Sequence, residues 1–189
     1  ANRWAEVTGC RVSEGYGLTE TSPTVSANPG NGVQIGTIGV PLPSTEVQIR
    51  DDEGNPLGLD EAGELCVRGP QVMAGYWQRP EATAEVIDSD GWFATGDIAL
   101  VQPDGYMRIV DRKKDMIVVS GFNVYPNELE DVLVAHPEVV ECAAVGVPSE
   151  SKGEAIRMYV VRSNPVLSED DVRNFMREGL TGYKVPKSV

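Results

Sequence analysis

Asp90-Gly91-Trp92-Phe93-Ala94-Thr95-Gly96-Asp97-Ile98, followed by Gly105-Tyr106-Met107-Arg108-Ile109-Val110-Asp111-Arg112-Lys113-Lys114-Asp115, decides how the chain divides. Ile98 to Val101 and Tyr106 to Val110 are strand-like runs on either side of Gln102-Pro103-Asp104-Gly105, a cluster of turn formers, so a β-hairpin is predicted. Every residue from Asp111 to Asp115 is charged, and the hydrophobic pattern changes there. That makes the cluster a candidate domain boundary. From composition alone, a solvated hairpin turn reads equally well.

Upstream, strands broken by Gly and Pro dominate. Ser44 to Arg50 alternates as a half-buried strand, Asp51 to Pro56 is a turn cluster, and Glu64 to Arg68 is a strand stopped by Gly69-Pro70. Pro80 to Ile87 reads as a short helix with proline at its first position and acid in its first turn. Short strands with regular turns predict a barrel or sandwich. Downstream, Met116 to Ser120 reads as a strand and Pro126 to Ala135 as a helix. Leu129, Val132 and Leu133 make the apolar stripe of that helix, while Glu128, Glu130 and Asp131 face water. Two strands follow, Val139 to Val147 and Ala155 to Arg162. A helix capped by Ser168 comes next, with Asp171 three residues on as an approximate capping box and a stripe of Val172, Phe175 and Met176. The order β-α-β-β-α predicts a sheet covered on one face. The fold class is thus α+β: a β-barrel-like part over residues 1–111, then a small α+β domain over 112–189.

Composition narrows the function. The chain has 189 residues and a formal net charge of -13, spread along its length. That balance disfavours nucleic acid and anionic lipid as partners. No apolar run approaches the roughly 18 residues of a membrane-spanning helix, and Ala1 to Gly9 is a polar, helix-like start rather than a signal peptide. Three cysteines, Cys10, Cys66 and Cys142, stand far apart in apolar, strand-like surroundings and read as reduced, buried thiols. With one histidine and no CxxC spacing, a zinc site is not expected. His136, before Pro137 at the end of a helical pattern, reads as a cap or surface residue.

Gly15-Tyr16-Gly17-Leu18-Thr19-Glu20-Thr21-Ser22-Pro23 is the other stretch that can carry chemistry. Glycines let a backbone approach a ligand closely, tyrosine offers a flat face to a purine, and threonine can bond a phosphoryl oxygen. A carboxylate beside them can hold Mg²⁺, which prefers oxygen ligands shared with phosphates. Read alone, the stretch could be only a tight turn.

Together the two stretches resemble the adenylate-forming superfamily of acyl-CoA synthetases, luciferases and peptide-synthetase adenylation domains. Gly63 to Met73 and Gly75-Tyr76-Trp77 continue the resemblance, and Val118 to Glu130 and Leu180 to Lys187 look most like bacterial long-chain fatty acid–CoA ligases. The resemblance implies ATP-dependent activation of a fatty acid to an acyl-adenylate, then transfer to CoA with release of AMP. Tyr16 would stack on adenine, Thr19 would contact the α-phosphate, and Glu20 would ligate Mg²⁺. Thr19 and Glu20 are thus the catalytic candidates. Gly17 would line the acyl pocket. Asp97 would bond the two ribose hydroxyls, its two acceptor oxygens matching a vicinal diol, and Arg112 would reach the same ribose. Lys114 would be the hinge between half-reactions. Gly121, in the loop Gly121-Phe122-Asn123, would let pantetheine pass. A turn cap, surface charge and a turn glycine are the plainer readings of Asp97, of Arg112 with Lys114, and of Gly121.

Two motifs of that superfamily are not among these residues. One is a Ser/Thr/Gly-rich phosphate loop. The other is a catalytic lysine in a Pro-Lys…Gly-Lys context, for which Lys184 and Lys187 are not substitutes. The chain is therefore expected to be a C-terminal piece, inactive alone, of a cytoplasmic enzyme. Peripheral association with the inner membrane face and a homodimeric state both stay open. So do two rivals: another carboxylate-activating enzyme, such as an aryl-CoA ligase or a carrier-protein-loading synthetase, and a non-catalytic nucleotide-binding module.

Overall fold

The computed structural model describes residues 2–149 and 153–189. Ala1, where the helix-like start was expected to open, lies outside them. The chain divides into two compact units, residues 1–109 and 110–189.

The first unit opens with α1 (Asn2–Thr8) and a sheet of β1 (Gly15–Gly17), β2 (Thr24–Ala27) and β3 (Val40–Pro41) in that order. A second sheet follows, built from β4 (Glu46–Arg50), β5 (Gly63–Arg68), β6 (Phe93–Val101) and β7 (Met107–Arg112), also in sequence order, with β7 running on past the end of the unit at Ile109. The helix α2 (Pro80–Val86) lies between β5 and β6 in sequence and takes proline at its first turn as predicted. Leu65, Cys66 and Val67 are all buried, which is why β5 reads as a continuous apolar run rather than an alternating one. Val25, Ile49, Leu65, Val67, Ala99 and Met107 form the core of the unit. Trp92 is met by two guanidinium groups, those of Arg50 at 5.1 Å and Arg68 at 4.6 Å from its ring centre. The barrel-like expectation resolves into two open sheets; among the described residues the strands do not close.

The second unit contains β8 (Ile117–Val119), β9 (Phe122–Val124), α3 (Pro126–Val134), β10 (Val139–Ser149), β11 (Gly153–Arg162) and α4 (Glu169–Gly179). Its antiparallel sheet has the order β10-β11-β8-β9. Leu129 and Leu133 of α3 and Val172 and Met176 of α4 pack with Ile117, Val119, Val124, Ala144, Ile156 and Met158. Tyr159 and Val161 of β11 remain exposed, so the helices cover one face of the sheet. The predicted capping box is present: Ser168 Oγ accepts the Asp171 N–H at 3.2 Å, and Asp171 Oδ2 accepts the Ser168 N–H at 3.0 Å. No described helix is long and apolar enough to cross a membrane.

Three details correct the sequence reading. Phe122-Asn123-Val124 is a strand, because Ser120 (φ 53°) and Gly121 (φ 83°) make a two-residue turn with both central residues left-handed, the geometry of a tight hairpin. Glu128 and Glu130 do not simply face water. Glu130 Oε1 accepts the Ala144 N–H at 2.8 Å on the open side of the edge strand β10, and Glu128 pairs with Lys184 at 2.6 Å. Of the cysteines, Cys66 is buried and Cys142 half-buried, but Cys10 is exposed beyond the end of α1. His136 accepts the Glu138 N–H at Nδ1 (3.2 Å) and meets Phe175 edge-on, with ring centres 4.8 Å apart.

Candidate functional site

The first unit gathers its candidate residues around β1 and the 3₁₀ turn Thr19–Thr21. Thr21 is fully buried; its hydroxyl accepts the Leu18 N–H at 3.0 Å and donates to the Pro23 carbonyl at 2.8 Å. This closes the turn from inside and leaves Thr19 exposed and Glu20 half-buried on its outer side. Thr21, which sequence reasoning passed over, is thus the residue that presents its two neighbours. Gly17 has a reason of its own. A Cβ there would lie 1.8 Å from the Pro23 carbonyl oxygen, so the chain itself forbids a side chain where β1 and β2 shift register.

Glu20 is held at two points by the segment before α2. The Met73 N–H donates to its main-chain carbonyl at 2.8 Å, and the Tyr76 hydroxyl donates to its Oε1 at 3.0 Å. Burial, then the hydrogen bond to the Glu20 carboxylate, pushes the Tyr76 phenol above its ordinary pKa, so it stays a donor at neutral pH. Nothing in the sequence singled out Tyr76 beyond its place in Gly75-Tyr76-Trp77.

Thr95-Gly96-Asp97 forms a bulge in β6. Cys66 pairs with Ala94 and Glu64 with Ile98, so the partner strand β5 advances by fewer residues across the same gap. Gly96 takes φ 75°. The bulge is tied down by Thr95 Oγ1 donating to the Leu65 carbonyl (2.8 Å) and by Glu64 Oε1 accepting the Gly96 N–H (3.1 Å). A bulge re-aims the side chain it carries. Asp97 is met by Tyr16, whose hydroxyl donates to Oδ2 at 2.5 Å. The two quoted stretches, 81 positions apart, thus converge on one contact.

Arg112, Lys114 and Gly121 belong to the second unit. Arg112, at the end of β7, and Lys114, in the 3₁₀ turn Lys113–Asp115, are both exposed. Asp111 is not a solvated charge. It is 5% exposed, and its carboxylate accepts the Arg112 N–H at 2.7 Å and the Asn127 N–H at 2.9 Å. The second bond places an anion at the N-terminal turn of α3, where the helix dipole favours it. Gly121 is exposed with open space around its Cβ direction. Its neighbour Phe122 stacks on Tyr183, ring centres 4.8 Å apart, and Lys184 next to Tyr183 holds Glu128.

The chain matches two family models: AMP-binding enzyme over residues 1–77, and AMP-binding enzyme C-terminal domain over residues 128–189. It is 60% identical over its full length to a long-chain-fatty-acid–CoA ligase of Salmonella typhimurium, of which it spans 34%. It is 46% identical over 96% of its length to a feruloyl-CoA synthase of Amycolatopsis sp, of which it spans 37%. Among solved structures, ATP-bound MatB of Rhodopseudomonas palustris is similar over the whole chain, at 37% identity and a TM-score of 0.90, with 38% of that chain covered. The chain therefore spans about a third of the length of the curated relatives it matches. The first model covers the Tyr16–Glu20 block and the second covers most of the second unit, and the chain belongs to the AMP-binding enzymes.

Proposed function

We propose that the chain is part of a long-chain fatty acid–CoA ligase. ATP would activate the fatty acid carboxylate as an acyl-adenylate with loss of pyrophosphate, and the acyl group would pass to the thiol of CoA with release of AMP. The observation that carries the reading is the Tyr16–Asp97 hydrogen bond at 2.5 Å. It sets side by side the ring assigned to adenine and the carboxylate assigned to ribose. The 60% identity to a long-chain-fatty-acid–CoA ligase supports the substrate class.

On this reading each residue has one task. The Tyr16 ring faces adenine, and Asp97 accepts from the ribose hydroxyls, joined there by Arg112. Thr19, exposed on the outer side of its turn, donates to an α-phosphoryl oxygen as negative charge builds on it. Mg²⁺ fits Glu20. Its Oε1 is engaged by Tyr76, its Oε2 has no protein partner among the described residues, and Mg²⁺ is commonly bound by one or two carboxylates with the rest of its shell from phosphate and water. Bound there, the ion would supply phosphate charge neutralisation. Gly17 borders the acyl channel, Gly121 gives pantetheine room, and Lys114 is the hinge. A domain boundary at residue 111 and a cytoplasmic location belong to the same proposal and rest on the resemblance.

The similarity to a feruloyl-CoA synthase favours a second reading, an aryl-CoA ligase. CoA-dependent AMP release by the full-length protein, offered palmitate or ferulate, separates the two. Faster turnover of palmitate is expected; a preference for ferulate would transfer the proposal to aryl acids.

A further inference from the structure

We infer that Tyr76 positions Glu20 so that it offers a divalent cation Oε2 in preference to both oxygens, and that this favours Mg²⁺ over Ca²⁺. The inference rests on the reading of Glu20 as a cation ligand.

A carboxylate can grip a cation with one oxygen or with both. The Tyr76 hydroxyl donates to Oε1 at 3.0 Å, which takes one of that oxygen's two lone-pair sites and draws charge from it, so Oε2 is the better ligand for a cation. Tyr76 sits on an anchored backbone. Its own N–H donates to Thr83 Oγ1 at 2.9 Å, on α2, and three residues earlier the Met73 N–H is bonded to the Glu20 carbonyl at 2.8 Å. The backbones that carry the phenol and the carboxylate are therefore tied to each other. Calcium takes about six to eight oxygens at longer distances and often uses both oxygens of a carboxylate, whereas magnesium demands a compact octahedron and takes single oxygens. A carboxylate with one oxygen already hydrogen-bonded suits the smaller ion. Glu20 fixes where the cation sits, and Tyr76 fixes how the carboxylate presents itself; it is a positioning residue and touches no ligand in this scheme.

The test is calorimetry of ATP binding to the full-length protein in Mg²⁺, in Ca²⁺ and in excess chelator, for wild type, Tyr76→Phe, Thr83→Val and Glu20→Gln. Tyr76→Phe keeps the ring and removes the donor. It should weaken ATP binding in Mg²⁺ by about three- to tenfold, the scale of one hydrogen bond, and lower the Mg²⁺-to-Ca²⁺ affinity ratio. Binding in chelator should not change. Thr83→Val, which loosens the loop but leaves the phenol, should move the ratio the same way by less. An unchanged ratio in Tyr76→Phe, or an equal loss in chelator, would overturn the inference. Glu20→Gln tests the foundation separately: if it leaves the Mg²⁺ dependence of ATP binding intact, Glu20 is not a cation ligand and the reading beneath the inference fails.

Discussion

Tyr16 and Asp97 bond each other at 2.5 Å, so neither can be read as a ligand contact alone. Tyrosine, rather than another aromatic, supplies the hydroxyl that fixes the carboxylate, and the bulge at Gly96 delivers that carboxylate to it. Two substitutions separate ring from hydroxyl. Asp97→Ala in the full-length protein removes hydrogen bonds to a charged acceptor and should weaken AMP binding by about ten- to hundredfold. Tyr16→Phe keeps the stacking face and loses only the anchor, so a loss below about tenfold is expected. Calorimetry with AMP reads both. A Tyr16→Phe loss as large as that of Asp97→Ala would mean that the hydroxyl itself contacts the nucleotide. At this scale the sequence shows residue types but not contacts. Thr19 and Thr21 look alike in Thr19-Glu20-Thr21, yet one is exposed and the other is the buried bracket of the turn.

Elements whose signal is local and periodic were legible. The Ser168–Asp171 box, the proline-started helices α2 and α3 and the hairpin around Gln102–Gly105 all form as their own residues dictate. Features that depend on a partner elsewhere in the chain were not. β9 needs the Ser120-Gly121 turn and β8 beside it, Glu130 is claimed by an edge strand, and the β6 bulge exists only against β5. Gly17 shows the cost of reading a glycine without its neighbours, because its Cβ direction is filled by the Pro23 backbone. Gly17→Ala should destabilise the protein by about 1–3 kcal/mol through overpacking, read as a lowered denaturation midpoint. Unchanged stability with altered acyl-chain preference would leave the channel role as the only reason for this glycine. The turn into β6 gives a pH-dependent expectation. Burial would raise the Asp88 carboxyl, but the Trp92 N–H, Arg50 and the Asp90 N–H outweigh it and hold its pKa below the ordinary value. A carboxyl lowered on folding adds stability above its unfolded pKa, about 3.9, and loses it as pH falls through the folded one. Asp88→Asn should therefore lower Tm near neutral pH, and the difference from wild type should shrink below about pH 4. A difference that does not depend on pH would assign the loss to packing.

At the scale of the whole molecule the chain is two units, and Lys114 lies just after their division at residue 109/110. If Lys114 is the hinge, its backbone torsions must differ between half-reactions, and proline there would fix φ and restrict Lys113. Lys114→Pro in the full-length protein should leave adenylation within about tenfold and depress acyl transfer from a supplied adenylate to CoA much further. Equal losses in both steps with the fold intact would make Lys113-Lys114 only a charged turn. The proposal as a whole rests on one reaction, adenylation of a fatty acid at the site marked by Tyr16, Glu20 and Asp97. Its most direct test is exchange of labelled pyrophosphate into ATP by the full-length protein, which requires both the carboxylic acid and a working nucleotide site. Exchange should depend on long-chain fatty acid and Mg²⁺ and collapse in Asp97→Ala; exchange that is independent of fatty acid, or that survives unchanged in folded Asp97→Ala, would rule out adenylation at this site.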